Sequence, residues 1–303
     1  MNRGALLFNF GRKESLSHRL LWVMYSTTLY LRLVSPILAA LLKFNLPGWI
    51  RFLVIAAMPI QNETRVLAAR RRKVGESAAR GLKEKGYADI SSILKITPDE
   101  IREVKEYFLS SNVAYDSQVP IWSSLTPRRV SDLTKLDSIS YISFPIDYSL
   151  GNIVVGRIAS SSALRDISAS YLGFKSSLYG INTMLTKRCD VPHGVTNLHR
   201  DYDDFLFLTF FVYWTDTTKN NGATYFVPGS HLNHVGTEGI YLEGHAGSVF
   251  ALDTYGLHAG NKSIQSERLA TWIRYGRIPN VAYICDKNYL FSEDLKSASY
   301  SSA

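Results

Sequence analysis

Apolar positions recur at helical spacing through the middle of the chain and give way to strand-like runs beyond residue 178. Residues 66–85 suit a helix closed by Gly86. Thr97-Pro98-Asp99-Glu100 reads as a capping box with proline at the first helical position, and Ile101, Val104, Phe108 and Leu109 follow at helical spacing. A further amphipathic stretch, Leu164, Ile167, Tyr171 and Leu172, ends at Gly173. Segments 179–188, 205–214, 223–227, 248–252 and 269–275 are then rich in β-branched and aromatic residues. Turn signals separate them at Asn220-Asn221-Gly222, Pro228-Gly229-Ser230, Gly244 and Gly260. Helices first and short strands afterwards predict an α+β domain built on a sandwich or jelly roll.

The pattern differs before residue 73. Apolar blocks at 20–31, 33–42 and 52–60 are separated by Arg32, Lys43 and Arg51. Each is shorter than the roughly 18 uncharged residues of a spanning helix. Joining 20 to 42 would place Arg32 and Pro36 inside the span, where both are costly. Three readings stand for this apolar helical segment: a subdomain packed on the body or on a partner chain, a helix lying on an anionic membrane, or a span.

Charge sharpens the division. Residues 1–73 hold 12 Lys or Arg against Glu14 and Glu63 alone, a charge of +10, so the rest carries −2 of the total of +8. A slightly acidic body argues against a nucleic-acid partner. With 46% apolar and 20% charged residues in 303, wholesale disorder is excluded. Cys189 and Cys285 are too few for a disulfide scaffold, have no metal-ligand spacing, and are read as buried thiols in a reducing compartment. The expected location is cytoplasmic, with membrane association through 1–73 or mitochondrial targeting as alternatives.

The chemistry concentrates in one pair and two distant residues. His199-Arg200-Asp201 is the sole His-x-acid sequence in the chain. In an extended segment residues i and i+2 project from one face, so imidazole and carboxylate converge on one ion. His258, 59 residues later in LDTYGLHAGNKS, completes a two-histidine, one-carboxylate facial triad of the kind that leaves open positions on Fe(II). Ten residues further, Arg268 in SERLATWIRY offers a planar guanidinium for a two-pronged bridge to a carboxylate co-substrate.

At these residues the sequence resembles the phytanoyl-CoA dioxygenase family of Fe(II)/2-oxoglutarate oxygenases, over roughly residues 75–280. NNGATYFVPGSH (220–231) is similar to the family's Asn-Gly turn and Pro-Gly-Ser-His segment, and GLHAGNKS to its distal-histidine segment. TMLTK (183–187) resembles the strand before the metal motif. The resemblance implies a double-stranded β-helix (jelly-roll or cupin-like) core with flanking helices. It implies iron on His199, Asp201 and His258, the far carboxylate of 2-oxoglutarate on Arg268, and Met184 lining its pocket. The pocket aromatic has two candidates, Phe211 and Trp214. O2 is the implied second co-substrate, and a retained Asp201 favours hydroxylation over halogenation.

The expected organisation is a basic apolar segment at 1–73, the oxygenase domain at 74–285 and a tail at 286–303. The expected function is hydroxylation of an unactivated carbon in a lipid, acyl or small-metabolite substrate, with release of succinate and CO2. Peripheral membrane contact through 1–73 would suit a lipid substrate. The alternatives are a catalytically silent jelly-roll binding module and a 2-oxoglutarate-independent, cupin-type metalloenzyme. Among the other histidines, His231 reads as structural within the Pro-Gly-Ser-His turn, and His193, His234 and His245 as loop residues or residues behind the ligands. Asp253 reads either as orienting a ligand or as making a strand-end hydrogen bond.

Overall fold

The computed structural model describes residues 73–116, 127–137, 139–173, 176–188, 197–201, 203, 206–232, 238–261 and 266–276. The expectations for residues 1–72, the C-terminal tail, His193, His234, Cys189 and Cys285 lie outside these residues. Among the described residues no helix is long and apolar enough to cross a membrane.

Helix α1 (Lys73–Lys85) stops where the sequence places its stop. Gly86 adopts φ +83°, and its N–H donates to the Leu82 carbonyl at 2.9 Å. A Cβ at Gly86 would lie 2.7 Å from His231 Nδ1 and 2.8 Å from Phe226 Cζ, so packing as well as backbone demands glycine. Strand β1 (Tyr87–Asp89) and the short helix α2 (Ser91–Leu94) lead to α3 (Pro98–Leu109). Its capping box forms as read: the Thr97 hydroxyl accepts the Glu100 N–H at 3.3 Å, and the Glu100 carboxylate accepts the Thr97 N–H at 2.9 Å. Thr97→Ala removes one of these bonds and is expected to cost about 1 kcal/mol, visible as a lower urea midpoint at unchanged slope. Val104 and Phe108 are buried as expected, whereas Leu109 is 41% exposed. One residue beyond Phe108, it has turned some 100° from the buried face.

Strand β2 (Tyr115–Asp116), helix α4 (Val130–Leu133) and strand β3 (Tyr141–Phe144) precede three helices, α5 (Ile146–Gly151), α6 (Ile153–Ala159) and α7 (Ser162–Leu172). The remaining strands are β4 (Ser177–Thr186), β5 (Phe207–Tyr213), β6 (Thr224–Phe226), β7 (Ile240–Leu242), β8 (Val249–Leu252), β9 (His258–Gly260) and β10 (Arg268–Gly276). The simple order of helices first and strands afterwards is therefore corrected. β1, β2 and β3 fall in the helical half, too short to show a period of two and recruited by distant partners such as Leu252 opposite Tyr87.

Among the described residues the architecture is α+β with two antiparallel sheets. The large sheet has the order β1-β8-β5-β10-β4-β3-β2, and the small one β7-β6-β9. Side-chain alternation sorts the large sheet into two faces. Phe210, Val212, Leu269, Ile273 and Ile181 join a core with Leu164 and Ile167 of α7 and Val155 and Ile158 of α6. Phe211, Tyr213, Phe250, Leu252 and Ala270 point the other way and pack with Phe226 and Leu242 of the small sheet. β5 is buried at all seven positions because helices cover one face and the small sheet the other. This explains why it reads as a continuous apolar run rather than as an alternation. The candidate site bridges the two sheets: His258 opens β9 of the small sheet, and Asp201 lies 3.8 Å from it and 3.5 Å from Arg274 of β10 in the large sheet.

Candidate metal centre

The segment carrying His199 and Asp201 is extended because it pairs with the start of β9. His199 and His258 exchange both backbone hydrogen bonds at 2.9 Å, and the Asp201 N–H donates to the Thr254 carbonyl at 2.9 Å. Alternation then turns the His199 and Asp201 side chains to one face and Arg200 to the other. Arg200 is buried, donating to the Ser230 carbonyl at 2.9 Å and the Tyr255 carbonyl at 2.5 Å, with its guanidinium over the Tyr255 ring. One cation thus ties the first two candidate ligands to the Pro-Gly-Ser-His turn and to the loop entering His258. Ser230 tightens that loop by accepting the Leu257 N–H at 2.7 Å.

On the opposite face the three donor groups converge. His199 Nε2 lies 3.6 Å from Asp201 Oδ1, and His258 Nε2 lies 3.8 Å from Asp201 Oδ2. One donor atom from each residue falls within 4.8 Å of the others. Ligand bonds of about 2.0–2.2 Å set neighbouring donors about 3 Å apart, so closure on an ion needs a movement of about an ångström. Each histidine is already oriented. His199 Nδ1 sits 2.7 Å from the Asn197 carbonyl, and His258 Nδ1 sits 2.9 Å from the Gly256 carbonyl. A carbonyl only accepts, so Nδ1 carries the proton and Nε2 presents its lone pair to the centre.

The charges suit a dication. Burial would push the Asp201 carboxyl upward, but His258, His199 and Arg274 outweigh it and hold the carboxyl below the usual range. Burial drives His258 down, favouring the neutral ring, whereas the interaction with Asp201 raises His199. Once His199 has also given up its proton, two imidazoles and an ionised carboxylate form a donor set that fits a first-row divalent metal.

Arg268 opens β10, is 3% exposed, and donates to the Gly222 carbonyl. Its guanidinium lies over the rings of Tyr213 at 5.5 Å and Trp272 at 5.7 Å. It has no carboxylate partner among the described residues, and its Nε makes no hydrogen bond there. Met184 sits opposite Ala270, two residues from Arg268, and is buried on the same inner face. The two aromatic candidates separate: Phe211 belongs to the inner-face cluster, while Trp214 is on the helix side with its indole bonded to Thr271 at 2.8 Å.

Residues 162–265 match the family described as phytanoyl-CoA dioxygenase (PhyH). The matched stretch contains His199, Asp201 and His258. A curated relative, "Dioxygenase peniF" of Penicillium patulum, is 42% identical over 65 residues, 20% of this chain and 21% of that protein. The chain thus spans about a fifth of the length of this curated relative. Among solved structures, the non-heme alpha ketoglutarate dependent epimerase SnoN from nogalamycin biosynthesis is 18% identical with a TM-score of 0.49, covering 67% of this chain and 82% of its own. SnoN is also known in complex with Fe3+, alpha ketoglutarate and nogalamycin RO. EctD from S. alaskensis with bound Fe is 18% identical with a TM-score of 0.45, covering 67% of this chain and 76% of its own.

His231, His245 and Asp253 lie apart from the three converging donors. His231 is fully buried with Nε2 3.2 Å from the Lys83 carbonyl, and His245 is exposed beside Asp216. Asp253 accepts the Tyr171 hydroxyl at 2.6 Å and the Tyr255 N–H at 3.0 Å, the strand-end role. Arg200, Asp203, Tyr179 and Arg274 also surround the site, and no motif in the sequence marks them. Alternation offers a signal for two of them: Asp203 is two residues beyond Asp201, and Arg274 shares the face of Arg268 and Trp272.

Proposed function

We propose that this chain is a member of the phytanoyl-CoA dioxygenase family and an Fe(II)- and 2-oxoglutarate-dependent dioxygenase. It hydroxylates an unactivated carbon of a lipid, acyl or small-metabolite substrate and releases succinate and CO2. The observation that carries the reading is the convergence of His199, Asp201 and His258, with both histidine Nδ1 atoms held by backbone carbonyls. In this reading the two sheets are the halves of a double-stranded β-helix, and the three side chains hold iron in its mouth.

Iron bound there would bring 2-oxoglutarate and O2 together on its open positions and supply the oxidising power for the hydroxylation. The chain's residues do the positioning. Asn197 and Gly256 fix the histidine tautomers, and Arg200 holds the two ligand-bearing segments at a fixed separation. Arg268 would hold the far carboxylate of 2-oxoglutarate, since its buried charge faces no carboxylate among the described residues. Met184 and the inner-face aromatics would exclude water from the carbon chain of the co-substrate.

The test is succinate formation from 2-oxoglutarate under air with Fe(II), first without and then with acyl and lipid substrates. Slow uncoupled succinate release that is absent in His258→Ala is the expected result. Metal-dependent turnover that ignores 2-oxoglutarate would overturn the reading in favour of a cupin-type metalloenzyme.

A further inference from the structure

Asp201 has two oxygens, and they face different partners. Oδ1 looks toward His199 Nε2 at 3.6 Å, while Oδ2 lies 3.5 Å from Arg274 Nη2 and 3.8 Å from His258 Nε2. Arg274 is held in this place from behind. Its Nη1 donates to Asp203 Oδ2 at 2.9 Å, and the same oxygen accepts the Tyr179 hydroxyl at 2.8 Å. Asp203 and Tyr179 are both buried.

The backbone explains why Tyr179 arrives there. Arg274 pairs with Gly180 and Tyr275 with Leu178, so Tyr179 is the extra residue of a β-bulge in β4. Bulges re-aim a side chain, and this one turns the tyrosine hydroxyl onto Asp203. Gly180, opposite Arg274, carries no side chain to compete with the guanidinium on that face.

We infer that Arg274, anchored by Asp203 and Tyr179, is a positioning residue that pins Asp201 Oδ2 and leaves Oδ1 as the one oxygen available to the metal. The inference rests on the metal-site reading above. A carboxylate taking two positions on the ion would leave too few for a bidentate co-substrate and O2, whereas a one-oxygen ligand leaves three. The planar fork of arginine reaches both Asp203 and Asp201, which a lysine point charge does not.

The test compares the wild-type chain with Arg274→Lys and with the double variant Arg274→Gln/Asp203→Asn, which avoids leaving a buried carboxylate unpaired. Two affinities are read: Co(II) for the apo-protein by visible absorption, and 2-oxoglutarate for the Fe(II)-loaded protein by its anaerobic charge-transfer band. The double variant is expected to lose affinity for Co(II) by about 10-fold or more and to need correspondingly more 2-oxoglutarate at saturating iron. Arg274→Lys is expected to recover the Co(II) affinity but not the 2-oxoglutarate affinity, a split that loosened packing would not give. Unchanged values in the double variant overturn the inference. If it does not fold, Tyr179→Phe, which loosens Asp203 by one hydroxyl, must raise the 2-oxoglutarate requirement; no change there overturns it equally. Absence of metal binding by the wild-type chain removes the metal-site reading itself, and this inference with it, a result distinct from wild-type binding matched by the variants.

Discussion

Asp201→Ala is expected to lower Fe(II) affinity by at least about 100-fold and to take 2-oxoglutarate-dependent succinate formation to background. Replacing residues behind metal ligands already costs about 10–100-fold, and Asp201 is the one carboxylate among the three converging donors. Its removal leaves only the two imidazoles and takes the negative charge away from beside the cationic Arg274. The same titration carries a pH signature. The interaction with Asp201 raises His199 above its usual value, so its proton persists to higher pH and competes with the metal. Fe(II) affinity in the wild type should therefore fall from neutral to mildly acidic pH. His245→Ala is the control, because that side chain is exposed beside Asp216, on the turn between β7 and β8. Equal losses in both variants would contradict the ligand assignment.

Arg268→Ala is expected to raise the 2-oxoglutarate concentration needed for half-saturation by about 30- to 3,000-fold while leaving Fe(II) affinity nearly unchanged. Truncating one partner of a buried, hydrogen-bonded charge pair costs about 2–5 kcal/mol, and 1.4 kcal/mol is a factor of ten. Arg268 suits that partnership because Tyr213 and Trp272 flank its guanidinium and Gly222 fixes one nitrogen. Gly222 is specific to this arrangement: it adopts φ +97°, and a Cβ there would stand 3.2 Å from the arginine Cδ. Arg268→Lys keeps the charge without the fork and should recover part of the affinity. Isothermal titration of the iron-loaded protein measures both variants, and an unaltered 2-oxoglutarate dependence would refute the assigned role.

Much of this arrangement was legible before any coordinates. Gly86, Thr97 and Gly173 mark real helix ends because caps are local chemistry. β4, β5, β8 and β10 lie within a few residues of their expected bounds because they are long or richly β-branched. β7 and β9 were invisible. Three residues such as His258-Ala259-Gly260 have no strand signature, and β9 exists because Phe226 and its neighbours pair with it. The convergence of His199, Asp201 and His258 was readable because an extended i, i+2 pair has only one geometry. Arg200 was not, since its partners Ser230 and Tyr255 are set by tertiary contacts 30 and 55 residues away. Tyr179 was equally hidden, because a bulge shifts the alternation on which the sequence reading depends.

The most direct measurement is an anaerobic titration of the apo-protein with Fe(II) and 2-oxoglutarate, followed by visible absorption. A metal-to-ligand charge-transfer band that requires both additions and is lost in His258→Ala is the expected result. A folded protein that binds Fe(II) yet gives no band on adding 2-oxoglutarate would contradict it.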